Sequence, residues 1–563
     1  MDSPGRHQST PPNTATRHLC AGAYLDGLFT RRVLNEYRSG LPRATAPSYG
    51  VDTALVVEHC RRAHRIHLVR DATLCLLVVV WALLDPAAAA AVCWVLVTVF
   101  VFRFLRDRPR RSRTVIGRML ARMAPLVRTA FTVYFGLFAA LVVVQVLEGL
   151  ITEVLGLSLA AVRGPLSVLS GLTPEEWVRG QSDASWLNLL ALLWLVVLTH
   201  LLAMRLLLVN WVPGGRGQQA VPVPASRLAE PEPASNVTVY SERMFVPFVG
   251  AGDHHQTWSF ALEVLPAGST DGEQGPPRLS FTIPQLNQRV AQRLRALGNP
   301  ALPPSERLDG LTVEDRIFAA GHLLRGNRSL LPDPGQSPVD WLPAEQVRTI
   351  MERPVGTVRH CLVVQVTSWS GEVVVSVFLH FATDGQMLYL ESNLFALPPI
   401  LPGYQVVDLL PSRIGVLDLL GVARNALWTF ASRAVEAPLA LLSLGLRGLN
   451  RLRWALVRAR IRQTPGFDYG ATASVRELAA SADFDNYFQK LDAEKHLKII
   501  ERRVLQAVLE FLEEQGVDTT EYRRQQTEII NAGVVITGST IKDSNFAVGD
   551  RARAGTRKTQ DRG

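Results

Sequence analysis

The chain has 563 residues and a formal net charge of +9, so a membrane part and one or more soluble domains can coexist in it. Its five cysteines are scattered and odd in number, which argues against a disulfide framework or a zinc knuckle and favours a reducing compartment. The first residues, 1–13, are polar and lack an apolar core, so we expect no cleavable signal peptide.

The first apolar block extends from about residue 72 to residue 211. Only Asp85 and Pro86 interrupt its first run, which ends near Phe102 and exceeds the length of about 20 residues that one span needs. Two interpretations stay open: one kinked helix, or a tight hairpin of two short spans at about 72–84 and 87–105. Arginines flank the run on both sides, and because such flanks stay in the cytoplasm, the charges favour the hairpin.

Two further spans are predicted at about 129–147 and 186–209. The loop between them has more acidic than basic residues, so we expect it outside the cytoplasm. The sequence therefore predicts a transmembrane domain of four spans over 72–212, a cytoplasmic N-terminal segment over 1–71, and both termini in the cytoplasm. Within the last span, His200 and Arg205 are interpreted as residues that snorkel to the headgroups.

A linker rich in Pro and Gly, 213–235, leads to a predicted cytoplasmic α+β domain over 236–410. The spacing of apolar residues predicts a helix at Ile283 to Leu297. The β-branched runs predict an antiparallel sheet. Its strands are expected at Val237 to Tyr240, Met244 to Val249, Trp258 to Leu265, Val358 to Thr367, Glu372 to Phe381 and Met387 to Phe395.

No motif in this domain indicates a catalytic, cofactor or metal site. The turn Gly250-Ala-Gly252 resembles the phosphate-binding turn of a nucleotide fold, but no helix follows it, so we interpret it as a hairpin connection. His360 and Cys361 are neighbours on a strand and must point to opposite faces. We predict no catalytic residue, cofactor or metal ion, and an enzyme stays open because catalytic groups meet in space rather than in sequence.

Residues 411–463 are apolar but contain nine arginines against two acidic residues. Because Pro438 divides the stretch and neither half has about 20 clean apolar residues, amphipathic helices on the membrane surface are favoured over extra spans. The expected partners are anionic lipid headgroups, and no nucleic acid is expected because no recognition motif is present. The arginines that we expect to contact the headgroups are Arg447, Arg451, Arg453, Arg458, Arg460 and Arg462.

The C-terminal part is predicted to be a helical region over 464–530 followed by a β-hairpin and a disordered tail over 531–563. Apolar residues at helical spacing predict one long helix from Phe484 to Gly516 and a second from Thr519 to Ile530. A lone hairpin is marginally stable, so the helix over 484–515 and the hairpin over 531–550 are candidate surfaces for a homo-oligomer.

Five phrases together resemble an uncharacterised family of bacterial integral membrane proteins that has no known activity. They are Phe245-Val-Pro-Phe-Val-Gly-Ala-Gly252, Gln365-Val-Thr-Ser-Trp-Ser-Gly-Glu372, Phe467-Asp-Tyr-Gly-Ala471, Tyr487-Phe-Gln-Lys-Leu-Asp492 and Asn531-Ala-Gly-Val-Val-Ile-Thr-Gly538. The resemblance implies a multi-pass protein of the bacterial inner membrane and supplies no catalytic residue. The last phrase also resembles tails of bacterial signalling and conflict proteins.

The sequence thus predicts a membrane-anchored cytoplasmic module that binds, senses or scaffolds, with an unknown ligand and an unknown protein partner. One alternative is an oligomeric membrane pore or effector of a bacterial stress or defence system. Another is a membrane-bound enzyme in 236–410, which would need a cleft where His254, His360 or His380 meets a carboxylate.

Overall fold

The computed structural model of the chain describes residues 13–38, 41–107, 185–212, 235–264, 280–353, 356–410, 415–452 and 454–532. The helices in these ranges are α1 Thr14–Leu25, α2 Gly27–Arg38, α3 Thr53–Leu84, α4 Pro86–Asp107, α5 Ser185–Trp211, α6 Ile283–Arg295, α7 Ala344–Glu352, α8 Pro402–Gln405, α9 Val416–Leu452, α10 Trp454–Gln463, α11 Tyr487–Glu514 and α12 Thr520–Ala532. The strands are β1 Val237–Tyr240, β2 Asp253–Glu263, β3 Leu311–Ala320, β4 Val358–Ser368, β5 Val373–Thr383 and β6 Met387–Leu397.

The strands form one six-stranded sheet in the order β1, β3, β4, β5, β6, β2. The predicted meander of β4, β5 and β6 is confirmed, and so are β1, β2 and helix α6. The predicted purely antiparallel sheet is wrong, because β1 pairs with β3 in parallel while the other neighbours are antiparallel. Strand β3 was not predicted, since Glu314, Asp315 and Arg316 interrupt its apolar pattern.

The predicted strand from Met244 to Val249 is also wrong. This segment is irregular, and it places the Phe248 ring on the Phe378 ring with a centroid distance of 4.2 Å. Phe318 and Phe395 complete an aromatic cluster on that face of the sheet. The Phe248 side chain therefore covers this face of the sheet. Pro247, next to Phe248, has no N–H to donate to a strand ladder, which disfavours a strand here.

Helices α6 and α11 cover the other face of the sheet. Leu286, Val290 and Leu294 of α6 share a buried core with Leu497 and Ile500 of α11 and with the inward residues of the strands. The predicted long C-terminal helix is confirmed as α11, and the shorter helix after it as α12. The buried face of α11 belongs to the chain's own core, and its exposed large apolar residues are Tyr487, Phe488 and Leu491 in its first turns.

Helices α1 and α2 pack against the first half of α3, and this small bundle also contacts Tyr404 and the end of α5. Helix α3 begins at Thr53, so the predicted span from 72 to 84 is the second half of a longer helix. The helix ends before Asp85, whose Oδ1 accepts a hydrogen bond of 3.0 Å from Ala88 N in the first turn of α4. Helices α3 and α4 then share an apolar cluster that includes Leu74 and Leu96.

Two described helices, not four, are long and apolar enough to cross a membrane by length and composition: α3 and the Trp186–Asn210 part of α5. The apolar part of α4, Ala88–Val99, is shorter. The predicted span at 129–147 lies outside the described residues. The predicted hairpin at 531–550 also lies outside them, except for its first two residues, which end helix α12.

The basic stretch after the sheet contains one long helix, α9, which continues through Pro438. The expectation that this proline divides the stretch into separate helices is wrong. Ala426, Ala431, Ala434 and Ala437 of α9 are buried in the cluster formed by α3, α4 and α5. Helix α9, which follows the sheet in sequence, therefore packs against the apolar helices that precede the sheet.

A core substitution in α11 should separate its buried and exposed faces. Leu497 is 2% exposed, and Leu491 of the same helix is 40% exposed. Leu497→Ala should cost about 2–5 kcal/mol of unfolding free energy because it leaves a cavity, whereas Leu491→Ala should cost less than about 1 kcal/mol. Denaturant unfolding of the purified chain measures both. Equal losses for the two variants would contradict this packing of α11.

Candidate functional site

A cavity of about 330 Å³ lies where helices α2, α3, α5 and α9 meet. One part of its lining is apolar and comes mainly from Leu68, Val197, Leu201, Met204 and Leu208. The other part is polar and basic, with Arg31, His67, Arg70, His200, Arg205 and Arg433. A cavity of this size with convergent polar groups is the usual form of a small-molecule site.

Arg70 is at the centre of the polar part. It is 8% exposed and donates to Asp71 Oδ1 from Nε at 2.9 Å and from a terminal nitrogen at 2.6 Å. Its other terminal nitrogen lies 3.4 Å from His67 Nδ1 and 3.3 Å from His200 Nε2. The two imidazole rings are 5.1 Å apart, so groups from α3 and α5 form one buried polar cluster.

The remaining guanidinium groups are paired more loosely. Arg205 donates to Asp418 of α9 at 2.9 Å, and Arg433 lies 3.8 Å from Glu436. Among the described residues, the buried atoms His67 Nε2 and Arg205 Nε have no hydrogen-bond partner. Among the residues that line the cavity, four arginines face one carboxylate, Asp71.

The sequence pointed to part of this site for a different reason. From the sequence, His200 and Arg205 are interpreted as residues that snorkel to the headgroups, and in the structure they line the cavity. The sequence does not single out His67 and Asp71, and Arg70 counts there only among the arginines before the first apolar run, although the spacing places all three on one side of α3. Arg433 was counted only as part of the basic stretch.

The arginines predicted to contact the membrane surface form no single cluster in the described residues. Arg458 and Arg460 are exposed on α10. Arg462 donates to Asp333 at 2.9 Å, which attaches the end of α10 to the α+β domain. The side chains of Arg447, Arg451 and Arg453 lie outside the part of the structure that is described.

The glycine turn at 250–252 binds a carboxylate of the chain itself. Gly250 N and Gly252 N donate to Glu477 Oε1 at 2.8 Å and 3.1 Å. Gly250 and Gly252 have φ angles of +96° and +88°, which favour glycine, and a Cβ on Gly250 would lie 2.3 Å from Pro47 O. The turn leads directly into β2, but the predicted hairpin is wrong because no strand precedes it.

The histidines of the α+β domain do not form a common site. His360 Nε2 lies 2.9 Å from Asp315 Oδ1, and Asn287 of α6 donates to the same oxygen at 2.8 Å. His360 is 3% exposed and faces α6, whereas Cys361, as predicted, points to the aromatic face. His380 Nδ1 donates to the backbone oxygen of His360 at 2.7 Å, and His254 is exposed beside Thr257.

Burial and charge also act on the Asp315 carboxyl. Burial raises its pKa, but the hydrogen bond from His360 and the neighbouring charges outweigh burial and leave the pKa below its usual value. His360 is buried, but the Asp315 side chain is 38% exposed, and neither residue lines the cavity at α3 and α5. No group of three or more His, Cys, Asp or Glu side chains in the described ranges is arranged to hold a metal ion.

A second buried polar cluster attaches α1 to the sheet domain. His18 contacts Glu372 Oε1 at 2.6 Å and Asp408 Oδ2 at 3.0 Å, and Arg17 also pairs with Asp408. Burial lowers the pKa of His18, but the hydrogen bonds to the two carboxylates outweigh burial, so the pKa is raised from 6.5. The protonated imidazole therefore stabilises the docked position of α1.

Taken with the fold, these features define an α+β protein whose mixed sheet is joined to a cavity-forming bundle that contains two candidate membrane helices. The chain belongs to the AbeC-like domain family, whose model matches residues 257–544, just over half of the sequence. The match begins within β2 and includes α9. No curated protein and no solved structure matches the chain. The resemblance to a family is thereby confirmed, but not its membrane or bacterial setting.

Removal of the Glu477 carboxylate should destabilise the fold. Glu477→Ala leaves Gly250 N and Gly252 N without their acceptor, and each buried unsatisfied donor costs about 1–3 kcal/mol. Glu477→Gln keeps an acceptor oxygen and should cost less. Denaturant unfolding measures both variants. If Glu477→Ala and Glu477→Gln lose the same small amount, the turn does not depend on this acceptor.

The His18 cluster predicts a pH dependence of stability. Because the folded pKa is raised from 6.5, the contribution of His18 is fully present below pH 6.5 and is lost as the pH rises through the folded pKa. The melting temperature of the wild-type chain should fall more between about pH 6 and pH 9 than that of His18→Gln. Parallel pH profiles for the two proteins would show that the imidazole does not couple to folding.

Proposed function

We propose that the chain is a membrane-anchored module whose cytoplasmic α+β domain binds, senses or scaffolds at the inner face of a bacterial cell membrane. Both termini are cytoplasmic in this proposal. The observation that supports it is a set of exposed apolar side chains on all four helices of one bundle. They are Leu76, Val79, Leu83 and Leu84 of α3, Trp94 and Val97 of α4, Leu195 and Leu206 of α5, and Leu417, Leu420, Leu427, Trp428, Leu439 and Leu442 of α9.

Large contiguous apolar patches are rare on soluble monomers and mark membrane or protein contacts. Here the patches accompany two helices that pass the length and composition test for a span. Leu83 is 81% exposed and Leu417 is 85% exposed, values that are costly in water and favourable in hydrocarbon. A lipid environment accounts for all four helices with one physical cause.

Helix α9 fits the same environment. Its buried alanines allow close approach to α3, α4 and α5, and small residues at helix contacts are typical of membrane bundles. Its outward leucines and Trp428 would contact lipid. In the proposal, the basic residues that follow, from Arg447 to Arg460, contact anionic headgroups, each at about 1 kcal/mol near the surface.

The break at Asp85 supports a membrane hairpin of α3 and α4. The two helices are consecutive and share Leu74, Val92 and Leu96 in one cluster, which a single kinked span would not bring together. We retain four spans in the proposal, with the third at 129–147. A homo-oligomer would use the exposed residues Tyr487, Phe488 and Leu491 of α11 rather than its buried face.

An oligomeric pore or effector is the second candidate function. The buried cluster of His67, Arg70 and His200 favours it, because ionisable groups inside a bundle of apolar helices mark functional sites in membrane proteins. For an enzyme in 236–410, the described residues offer one contact of the expected kind, between His360 and Asp315. Asn287 already donates to the same Asp315 oxygen, and neither His360 nor Asp315 lines the cavity.

Membrane fractionation tests the proposed anchoring. Full-length chain expressed in bacteria should stay in the membrane pellet after an alkaline carbonate wash. The double variant Leu76→Arg/Val79→Arg should lose most of this retention, because an arginine near the centre of the 72–84 span costs about 2.5–3.5 kcal/mol. The matched control is Leu323→Arg, at a residue of the α+β domain that is 48% exposed. Release of the wild-type chain by carbonate would contradict the proposal.

A further inference from the structure

We infer that the cavity between α2, α3, α5 and α9 binds a phosphate group carried by a molecule with an apolar part. The inference deepens the proposed binding function and rests on it. The two chemical halves of the lining carry the argument, because each half matches one half of such a ligand.

The charges on the lining select an anion. Four arginines, Arg31, Arg70, Arg205 and Arg433, line the cavity, and Asp71 is the one carboxylate among the lining residues. Asp71 is already bound by Arg70 through two hydrogen bonds. Asp418 and Glu436 lie beside Arg205 and Arg433 but do not line the cavity. A cation would therefore meet like charge, whereas an anion would meet several donors.

The directions of the donors favour phosphate over a carboxylate. Arg31 comes from α2, Arg70 from α3, Arg205 from α5 and Arg433 from α9, so four helices each contribute one arginine to the lining. A carboxylate offers two oxygens in one plane, whereas phosphate offers tetrahedrally placed oxygens that several arginine forks can share. Phosphate is thus the common anion that can use donors from so many sides.

The apolar half of the lining excludes inorganic phosphate as the best ligand. A cavity of about 330 Å³ exceeds what one phosphate group fills, and Leu201, Met204 and Leu208 of α5 form part of the remaining wall. Transfer of an apolar group to this wall adds about 25 cal/mol per Å² of buried area. A phosphate ester with a hydrocarbon part uses both halves.

The position of the cavity leaves two sources for such an ester. Leu68 and His67 line it, one to two helical turns before Leu74 enters the apolar cluster of the bundle. This is the level at which the apolar helices meet α1, α2 and the α+β domain. A phospholipid can present its headgroup there from the leaflet, and a soluble phosphate ester can enter from the cytoplasmic side.

The test uses the purified full chain in an uncharged detergent and measures its melting temperature against added ligand. The probes are dihexanoyl phosphatidic acid, hexyl phosphate and, at matched ionic strength, sodium chloride. We expect a saturable rise in melting temperature with phosphatidic acid. A similar rise with hexyl phosphate identifies a soluble ester as the source, and a rise with phosphatidic acid alone identifies a lipid headgroup.

Two matched pairs of variants locate the binding. Arg31→Gln and Arg433→Gln alter residues that line the cavity, while Arg32→Gln and Arg424→Gln alter exposed arginines on the same helices outside the lining. The half-saturating concentration should rise roughly tenfold in the first two and stay unchanged in the controls. If Arg433→Gln does not fold, Arg31→Gln decides, because Arg31 is exposed on α2.

The inference is overturned if neither phosphate probe gives a saturable rise beyond sodium chloride, or if the cavity variants respond like their controls. Both results are independent of membrane retention, which the carbonate wash measures. If the chain stays in the membrane but binds no phosphate ester, the inferred ligand is wrong and the proposed anchoring stands. If the chain binds the ester but is released by carbonate, the proposed anchoring is wrong and the inferred ligand stands.

Discussion

The contact between the alanines of α9 and the apolar helices holds the two halves of the molecule together. Four small residues of α9 allow its backbone to approach those of α3, α4 and α5 closely. They are Ala426, Ala431, Ala434 and Ala437. Because α9 follows the sheet in sequence and α3 to α5 precede it, this contact closes the chain around the α+β domain. The basic cavity depends on the same contact, since Arg433 reaches it only when α9 is docked.

The α+β domain is fixed to the bundle by buried polar groups at a second place. Arg476 is fully buried and donates to the backbone oxygens of Glu372 and Pro398 at 2.8 Å and 2.7 Å, and burial lowers its pKa to about 10. Both of these bonds come from one terminal nitrogen of Arg476, and its Nε and other terminal nitrogen have no partner among the described residues. Glu372 also accepts from Ile400 N and contacts His18 of α1. Because buried carboxylates are costly unless they are satisfied, the bonds of Glu372 to His18 and Ile400 N favour one arrangement of α1 against the sheet. A ligand in the cavity would therefore act on a bundle that is attached to the domain at two places.

The sequence predicted the elements in which local pattern and final environment agree. Strands β4 to β6 are mostly apolar runs between turn residues, rich in β-branched residues in β4 and β5, and α11 has apolar residues at helical spacing, so the sequence predicts both. Strand β3 was missed because its Asp315 is satisfied by His360 and Asn287, partners that only the tertiary structure supplies. Helix α9 was expected to break at Pro438, whereas tertiary packing of its alanines keeps it continuous. The cavity could not be predicted from the sequence, because its four arginines follow no regular spacing in the chain. They are Arg31, Arg70, Arg205 and Arg433.

Trp428 of α9 reports directly on whether the outer surface of the bundle contacts lipid, because its side chain is 64% exposed. The measurement is tryptophan fluorescence of the full chain in bilayers with brominated acyl chains, compared with Trp428→Phe and with Trp341→Phe as a control in the α+β domain. If the bundle lies in lipid, brominated acyl chains should quench the emission of Trp428, which is the component that Trp428→Phe removes. They should leave the emission of Trp341, which Trp341→Phe removes, unchanged. Equal emission from Trp428 in brominated and ordinary bilayers would contradict lipid contact.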